Sequence, residues 1–177
     1  MNWLARFLRH RVGRYIAALV AGTAIAVSFA APATAAGRVM KCTLVQYKYF
    51  FTPKTDIRVW ATTCVASNGE DHRNAYITDI SWKIESTIVK GTKFLYFRFQ
   101  VRLERYDADY KVKKCDFTWE ANYLGWPDSD TPRGCAAGRI STSLRGGWTS
   151  DGYLEFDAVG DGKGRIVWQL KGSPQIT

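Results

Sequence analysis

The chain has 177 residues, with 25 Lys and Arg against 16 Asp and Glu, and four Cys. That is one ordinary domain's length, too short for a TIM barrel or a two-domain dehydrogenase. With 46% hydrophobic and 14% aromatic residues it is neither a disordered tail nor a low-complexity segment.

Residues 1–15 carry Arg6, Arg9, Arg11 and Arg14 and no acid. Ile16 to Ala30 is uncharged and mostly apolar, and it runs into Ala31-Pro32-Ala33-Thr34-Ala35-Ala36. A basic start, an apolar run and small residues flanking a cut after Ala35 read as a secretory signal peptide over residues 1–35. The competing reading is an uncleaved membrane anchor; Gly22 and Pro32 and the cleavage-like end argue against it. The Ala-rich cut site has the composition of a bacterial export. Residues 36–177 then form one secreted antiparallel β domain. Loss of the four leader arginines takes the formal net charge from +9 to +5. Such a charge suits solubility and tolerates an anionic partner without requiring one.

Cys42, Cys64, Cys115 and Cys135 all lie beyond the leader. An even count in an oxidising compartment predicts two disulfides, with three connectivities open to them. The pairing Cys42–Cys64 and Cys115–Cys135 is favoured because each closes a short loop, worth roughly 3 kcal/mol in chain entropy. No C-x-x-C occurs and His72 is the one histidine beyond the leader, so no metal site is expected.

Along the chain, period-two alternation dominates and helix signals are almost absent. Arg38–Phe51 and Ile57–Ala66 read as two strands joined through Pro53, with a polar turn from Asn68-Gly69. Residues 76–123 read as a three-stranded meander. Gly91-Thr92 suits a type II′ turn, which sets Ile88 opposite Leu95, Ile84 opposite Phe99 and Trp82 opposite Val101. A five-residue loop over Tyr106–Tyr110 then sets Val101 opposite Cys115, Phe99 opposite Phe117 and Phe97 opposite Trp119. A one-residue slip would instead put Phe99 against Asp116 and turn every side chain over. The same register gathers Glu85, Arg98, Gln100, Asp116, Tyr96 and Glu120 on a polar face, with Arg102 against Lys114 as its one unfavourable pair. Residues 124–137 carry two prolines and read as loop, and Arg139–Leu144 as a short strand. Tyr153–Val159 and Arg165–Leu170 form a last hairpin, with Leu154, Phe156 and Ala158 facing Leu170, Trp168 and Ile166. The expected fold is all-β, a single antiparallel β-sandwich or a barrel-like closure of seven to eight strands; the sequence leaves those two open.

No catalytic constellation stands out. His72 lies in the polar stretch Asn68–Asn74, and the chain has no G-x-S-x-G, H-E-x-x-H, P-loop or G-x-G-x-x-G. Glycosidase chemistry needs two carboxylates across a cleft. Glu85 with Glu120 and Glu155 with Asp157 are such pairs only in the sense that any acidic β protein offers them. Asp128-Ser129-Asp130 resembles half of a calcium loop without its remainder. No catalytic residue and no cofactor is assigned.

Aromatic residues are the unusual feature. Phe97, Phe99, Phe117, Trp82, Trp119, Phe156 and Trp168 fall on expected core faces. Tyr123 and Trp126 flank a Gly/Pro loop, Trp148 follows Gly146-Gly147, and Trp60 shares a strand face with Arg58. These four are the candidate ligand-binding residues, since Trp and Tyr give rigid contact area with a polar tip. The leading expectation is a non-enzymatic extracellular binding module for a cell-envelope polymer, a glycan or another protein. Nucleic acid is not expected as a partner, because acids neutralise the basic face, nor is a membrane after leader removal. A second reading is an inhibitor or toxin-like effector of a secreted enzyme, docking through the rigid loop 124–135. A third is a small secreted hydrolase using His72 or unpatterned carboxylates.

Overall fold

A computed structural model describes residues 37–69, 71–86, 91–124 and 133–177. The leader assigned to 1–35, Trp126, the Asp128–Asp130 acids and the Ile88 pairing lie outside the described residues. Among those described, ten strands and one short helix form two antiparallel sheets.

The first sheet is built on two long strands, β3 (Thr55–Ser67) and β4 (His72–Ser86), which pair as a hairpin through the Asn68–Gly69 turn. Two short strands, β1 (Val39–Cys42) and β2 (Gln46–Phe50), lie end to end along the far side of β3. On the other side of β4 lie β7 (Arg133–Ala136) and β8 (Ile140–Ser141). The second sheet runs β10 (Arg165–Gln169), β9 (Trp148–Ala158), β5 (Phe94–Arg105), β6 (Ala108–Asp116). No ladder joins a strand of one sheet to a strand of the other among the described residues, so the sheets do not close into one barrel.

Alternation dictates the core. On β3, Ile57, Val59 and Ala61 point in; on β5, Phe97, Phe99, Val101 and Leu103; on β9, Leu154 and Phe156, all of them fully buried. Aromatic rings of the two sheets meet edge to face at Phe50 and Phe156, 5.0 Å apart, and in a tilted pair at Trp82 and Phe97, 5.4 Å apart. Such contacts add about 0.5–1.5 kcal/mol each beyond the area they bury. At the centre of the second sheet the backbones crowd. A Cβ on Gly152 would come within 2.2 Å of the Gln100 carbonyl oxygen, so only glycine fits there.

Both disulfides form as the loop-length argument favours, and they do different work. Cys42–Cys64 joins directly opposed residues of β1 and β3 within one sheet. Cys115–Cys135 links β6 to β7 and so ties the two sheets together.

Several expectations change. The meander does not form. β4 pairs with β3, β7 and β8, and β5 pairs with β6 and β9, so between Ser86 and Phe94 the chain passes from one sheet to the other instead of turning back. Trp82 therefore meets Phe97 and Phe117 across the interior, not Val101 beside it. An apolar face is equally satisfied by a neighbour in its own sheet or by the facing sheet, and periodicity does not tell these apart.

The β5–β6 hairpin forms, but two residues out of the expected register, with Phe99 opposite Cys115 and Arg98 opposite Asp116. Tyr106 and Asp107, both at positive φ, make a two-residue turn. Alone, that tight turn would put Phe99 opposite Lys114 and turn β6 over. The ladder steps from Glu104↔Asp109 to Leu103↔Lys111, leaving Tyr110 as a bulge that restores the face. The β9–β10 hairpin is also tighter by two, with Phe156 opposite Ile166 and Leu154 opposite Trp168. Trp148 begins β9 and is not a loop residue. The segment expected to be loop over 124–137 contains β7. After β6 the chain turns into a helix, α1 (Thr118–Tyr123). Thr118 Oγ1 accepts the Phe97 N–H at 2.9 Å, and buried Asn122 Oδ1 accepts the N–H groups of Lys93 and Phe94 at 2.7 and 2.8 Å. These bonds start β5 and hold the helix on it. They also expose Trp119, which a continued strand would have buried.

Candidate functional site

The strongest surface feature is the outer face of the first sheet, where β2, β3 and β4 set side chains in three ordered rows. In the first, Tyr47 stands opposite Trp60 and Trp60 opposite Ser81. In the second, Tyr49 is opposite Arg58 and Arg58 opposite Lys83. The third holds Asp56 opposite Glu85, with exposed Phe51 just past the end of β2.

Within this lattice the rings of Tyr47 and Trp60 lie 5.1 Å apart at a tilt of 38°. Tyr47 is 52% exposed and Trp60 half-buried. Phe51 meets Tyr49 edge-on at 4.1 Å, and the Arg58 guanidinium stacks 5.1 Å from the Tyr49 ring. The Tyr49 hydroxyl donates to Asp56 Oδ2 at 2.8 Å; that bond holds its pKa above the ordinary tyrosine value, helped by partial desolvation and the Asp56 charge. Lys83 and Arg58 reach Glu85 at 3.0 and 3.8 Å. The aromatic rows thus have a rim of both charge signs.

Hollows flank the Tyr47–Trp60 pair. One of about 310 Å³ is lined by Val45, Trp60, Asp79, Ser81 and Trp82. Asp79, at positive φ, marks the bulge where the β3–β4 ladder shifts register beyond Trp60. A larger groove of about 740 Å³ lies between Leu44, Val45 and Tyr47 on one side and Trp168, Lys171 and Pro174 on the other. Gln46 spans that groove's floor, its Nε2 donating to the Lys171 carbonyl at 3.1 Å.

Trp60 therefore sits at the centre of an exposed aromatic face. Tyr123 is exposed on α1 and pairs with Trp119 at 5.6 Å, on the other sheet's side of the fold. Trp148 is fully buried, its indole N–H donating to the Leu144 carbonyl at 3.0 Å and its ring meeting Tyr110 at 4.8 Å. Its ring offers nothing to a ligand at the surface. The structure does not bring Trp60, Tyr123 and Trp148 together. Tyr47, Tyr49 and Phe51, which sequence reasoning passed over, join Trp60 instead. Their signal was the alternation Y-x-Y-x-F, which places three rings on one face of a strand.

Three of the four acids considered for catalysis, Glu85, Glu120 and Glu155, are engaged in ion pairs. Glu155 is held by Lys114 at 2.9 Å and Arg165 at 2.8 Å, Glu120 by Arg133 at 2.9 Å, and Glu85 as above. The most perturbed carboxyl is Glu104, buried beside the Arg102 guanidinium at 3.3 Å and pushed up to about 7. Burial is the main cause; Asp151 and Asp109 add repulsion and a shared hydrogen bond, against the pull of Arg102. Among the described residues, no group of three or more His, Cys, Asp or Glu is placed to hold a metal ion, and no helix is long and apolar enough to cross a membrane. No protein-family model, curated protein or solved structure matches the chain.

Proposed function

We propose that the protein is an exported, non-enzymatic binding module whose aromatic outer face holds a glycan, as a free oligosaccharide or as part of a cell-envelope polymer. One observation carries this reading. Tyr47 stands in register with Trp60 across β2 and β3, and the Tyr49–Phe51 pair continues the rings along the same face. The C–H face of a sugar ring stacks on such rings, while the rim of Asp56, Arg58, Lys83 and Glu85 offers donors and acceptors to its hydroxyls. Export is supported by the leader and by two disulfides of the kind oxidising compartments allow.

The test is co-sedimentation of the oxidised protein with insoluble polysaccharides and isolated cell envelopes across a salt titration, with oligosaccharide titrations for affinity. Retention at high salt, reduced at least about tenfold in Trp60→Ala or Tyr47→Ala, is the expected result, since such hot-spot rings each carry about 1.4 kcal/mol or more. Retention that vanishes with salt would mean nonspecific basic adhesion. Retention unchanged in both variants would move the site elsewhere.

A further inference from the structure

The hollow of about 310 Å³ beside the Tyr47–Trp60 pair has walls of two kinds. Val45 and Trp60 give it apolar surface, Ser81 a hydroxyl and Asp79 a carboxylate. Ser81 reaches it by simple register, opposite Trp60. Asp79 reaches it through an irregularity. Between Trp60 and Thr62 the β3 ladder moves from Ser81 to Thr78, so β4 carries one residue more than β3 over that step. The ladder between β4 and β7 shifts at the same place, between Ile77 and Ile80. Asp79 takes up the extra residue with a left-handed backbone, φ 52°, and is exposed while Ile77 and Ile80 are buried. A bulge re-aims a side chain in this way, and aspartate is among the few residues besides glycine that tolerate the left-handed region.

The acids of this face differ in what answers them. Glu85 takes Lys83 at 3.0 Å and Arg58 at 3.8 Å, and Asp56 accepts the Tyr49 hydroxyl. Asp79 accepts the Thr78 hydroxyl at 3.2 Å and forms no ion pair among the described residues. Arg133 on β7, the cation of the adjoining ladder, stands opposite buried Ile80 and is bonded to Glu120 at 2.9 Å. Residues 125–132, which lead into β7, contain no lysine, arginine or histidine. A carboxylate beside an indole favours one sign of charge. A cation gains the attraction of the carboxylate and of the ring's quadrupole together, whereas an acidic ligand is repelled.

We propose that this hollow selects a sugar residue carrying a free ammonium group, and that Asp79 determines the selection. This selection presupposes that the aromatic face holds a glycan, as proposed above, and names the class of sugar it takes. The sugar ring packs on Trp60 and Val45, its ammonium pairs with the Asp79 carboxylate, and the Ser81 hydroxyl bonds a ring hydroxyl. The volume fits one such ring, at the lower end of the roughly 300–1,000 Å³ of ligand pockets. Acetylating the amine removes its charge and the attraction with it.

The test is calorimetric titration of the oxidised protein with oligosaccharides of glucosamine, of N-acetylglucosamine and of glucose, matched in length and linkage, below the pKa of the amine. Wild type should bind the glucosamine form at least about tenfold more tightly than either of the others. Raising the pH past the pKa of the amine should erase that preference. Asp79→Asn keeps the shape of the side chain and tolerates a positive φ, so its thermal midpoint should stay close to wild type, and it should bind all three forms alike. Asp79→Gly, equally at ease at that φ, should lose the preference in the same way. The proposal is overturned, with the glycan reading intact, if wild type binds the neutral forms as tightly as the charged one, or if both variants keep the preference. Binding of none of the three would overturn the glycan reading and this selection with it.

Discussion

The outer faces of the two sheets are built from the same alternating strands, yet they end in opposite chemistry. On the second sheet the charges answer one another. Arg98 meets Asp116 at 2.8 Å, Glu155 takes both Lys114 and Arg165, and Arg102 lies among Glu104, Asp109 and Asp151. On the first sheet the ion pairs stop at β4 and Arg58, and β2 presents rings to solvent. A face whose charges are already satisfied has little left for a ligand. A face that leaves apolar ring area uncovered has contact energy in reserve, at about 25 cal/mol per Å² once a partner covers it.

The contrast depends first on the two sheets staying joined. Replacing Cys115 and Cys135 by Ser should lower unfolding free energy by about 3 kcal/mol in urea denaturation, as expected for a loop of about twenty residues. An unchanged midpoint would mean that the core alone fixes the pairing of the faces. Next in size is the charged face itself. Glu155→Ala removes the partner of two cations that are each more than half exposed and can return to water. Its cost should be about 1 kcal/mol and should shrink in high salt.

A pH-dependent effect belongs to Glu104. Its carboxyl sits at about 7 when folded, against an ordinary value near 4.5. With the folded value raised, the native state binds the proton more tightly than the unfolded chain. Stability is then greatest below about 4.5 and declines as pH rises towards 7 and through it. Glu104→Gln should flatten that decline in melting temperature measured from pH 4 to 8; an equal slope in the variant would exclude Glu104 as its source. The smallest stability change is expected at the aromatic face. Trp60→Ala should cost about 1 kcal/mol or less, since a half-buried ring loses one tilted partner. A large loss there would make Trp60 a structural residue and remove the basis for the binding reading.

The strand faces were legible in the sequence, the division between two sheets was not, and the misses have a common cause. Strand faces were readable wherever apolar and polar residues alternate, as in Ile57–Trp60 and Phe97–Arg102. Both hairpin registers moved by two residues, which leaves faces intact. The bulge at Tyr110 was invisible because nothing local distinguishes a bulge from a longer loop. Partner choice was not legible at all: β5 pairs with β9, fifty residues away, and no local pattern encodes that. For the candidate site, Trp60 was read on one strand face with Arg58, and it lies on that face. Trp148 misled because two preceding glycines suggested a loop, whereas Gly147, at positive φ, leaves room for the Tyr106 ring beside the start of a buried strand. Trp119 was assigned to the core on strand periodicity and emerges on a helix that Thr118 and Asn122 anchor.

The tandem placement of β1 and β2 along β3 has a consequence for how this molecule could vary. The register of β1 is locked by Cys42 opposite Cys64, and that of β2 by five pairs of its own. Thr43 is still bonded to Thr63, so the exposed Leu44–Val45 pair beyond it works as a splice point. An inserted or deleted residue there would be absorbed without dislodging the covalently held strand. Of the ring-bearing strand, Phe50 alone is fully committed to the core, so the outward positions Tyr47 and Tyr49 can change without touching it.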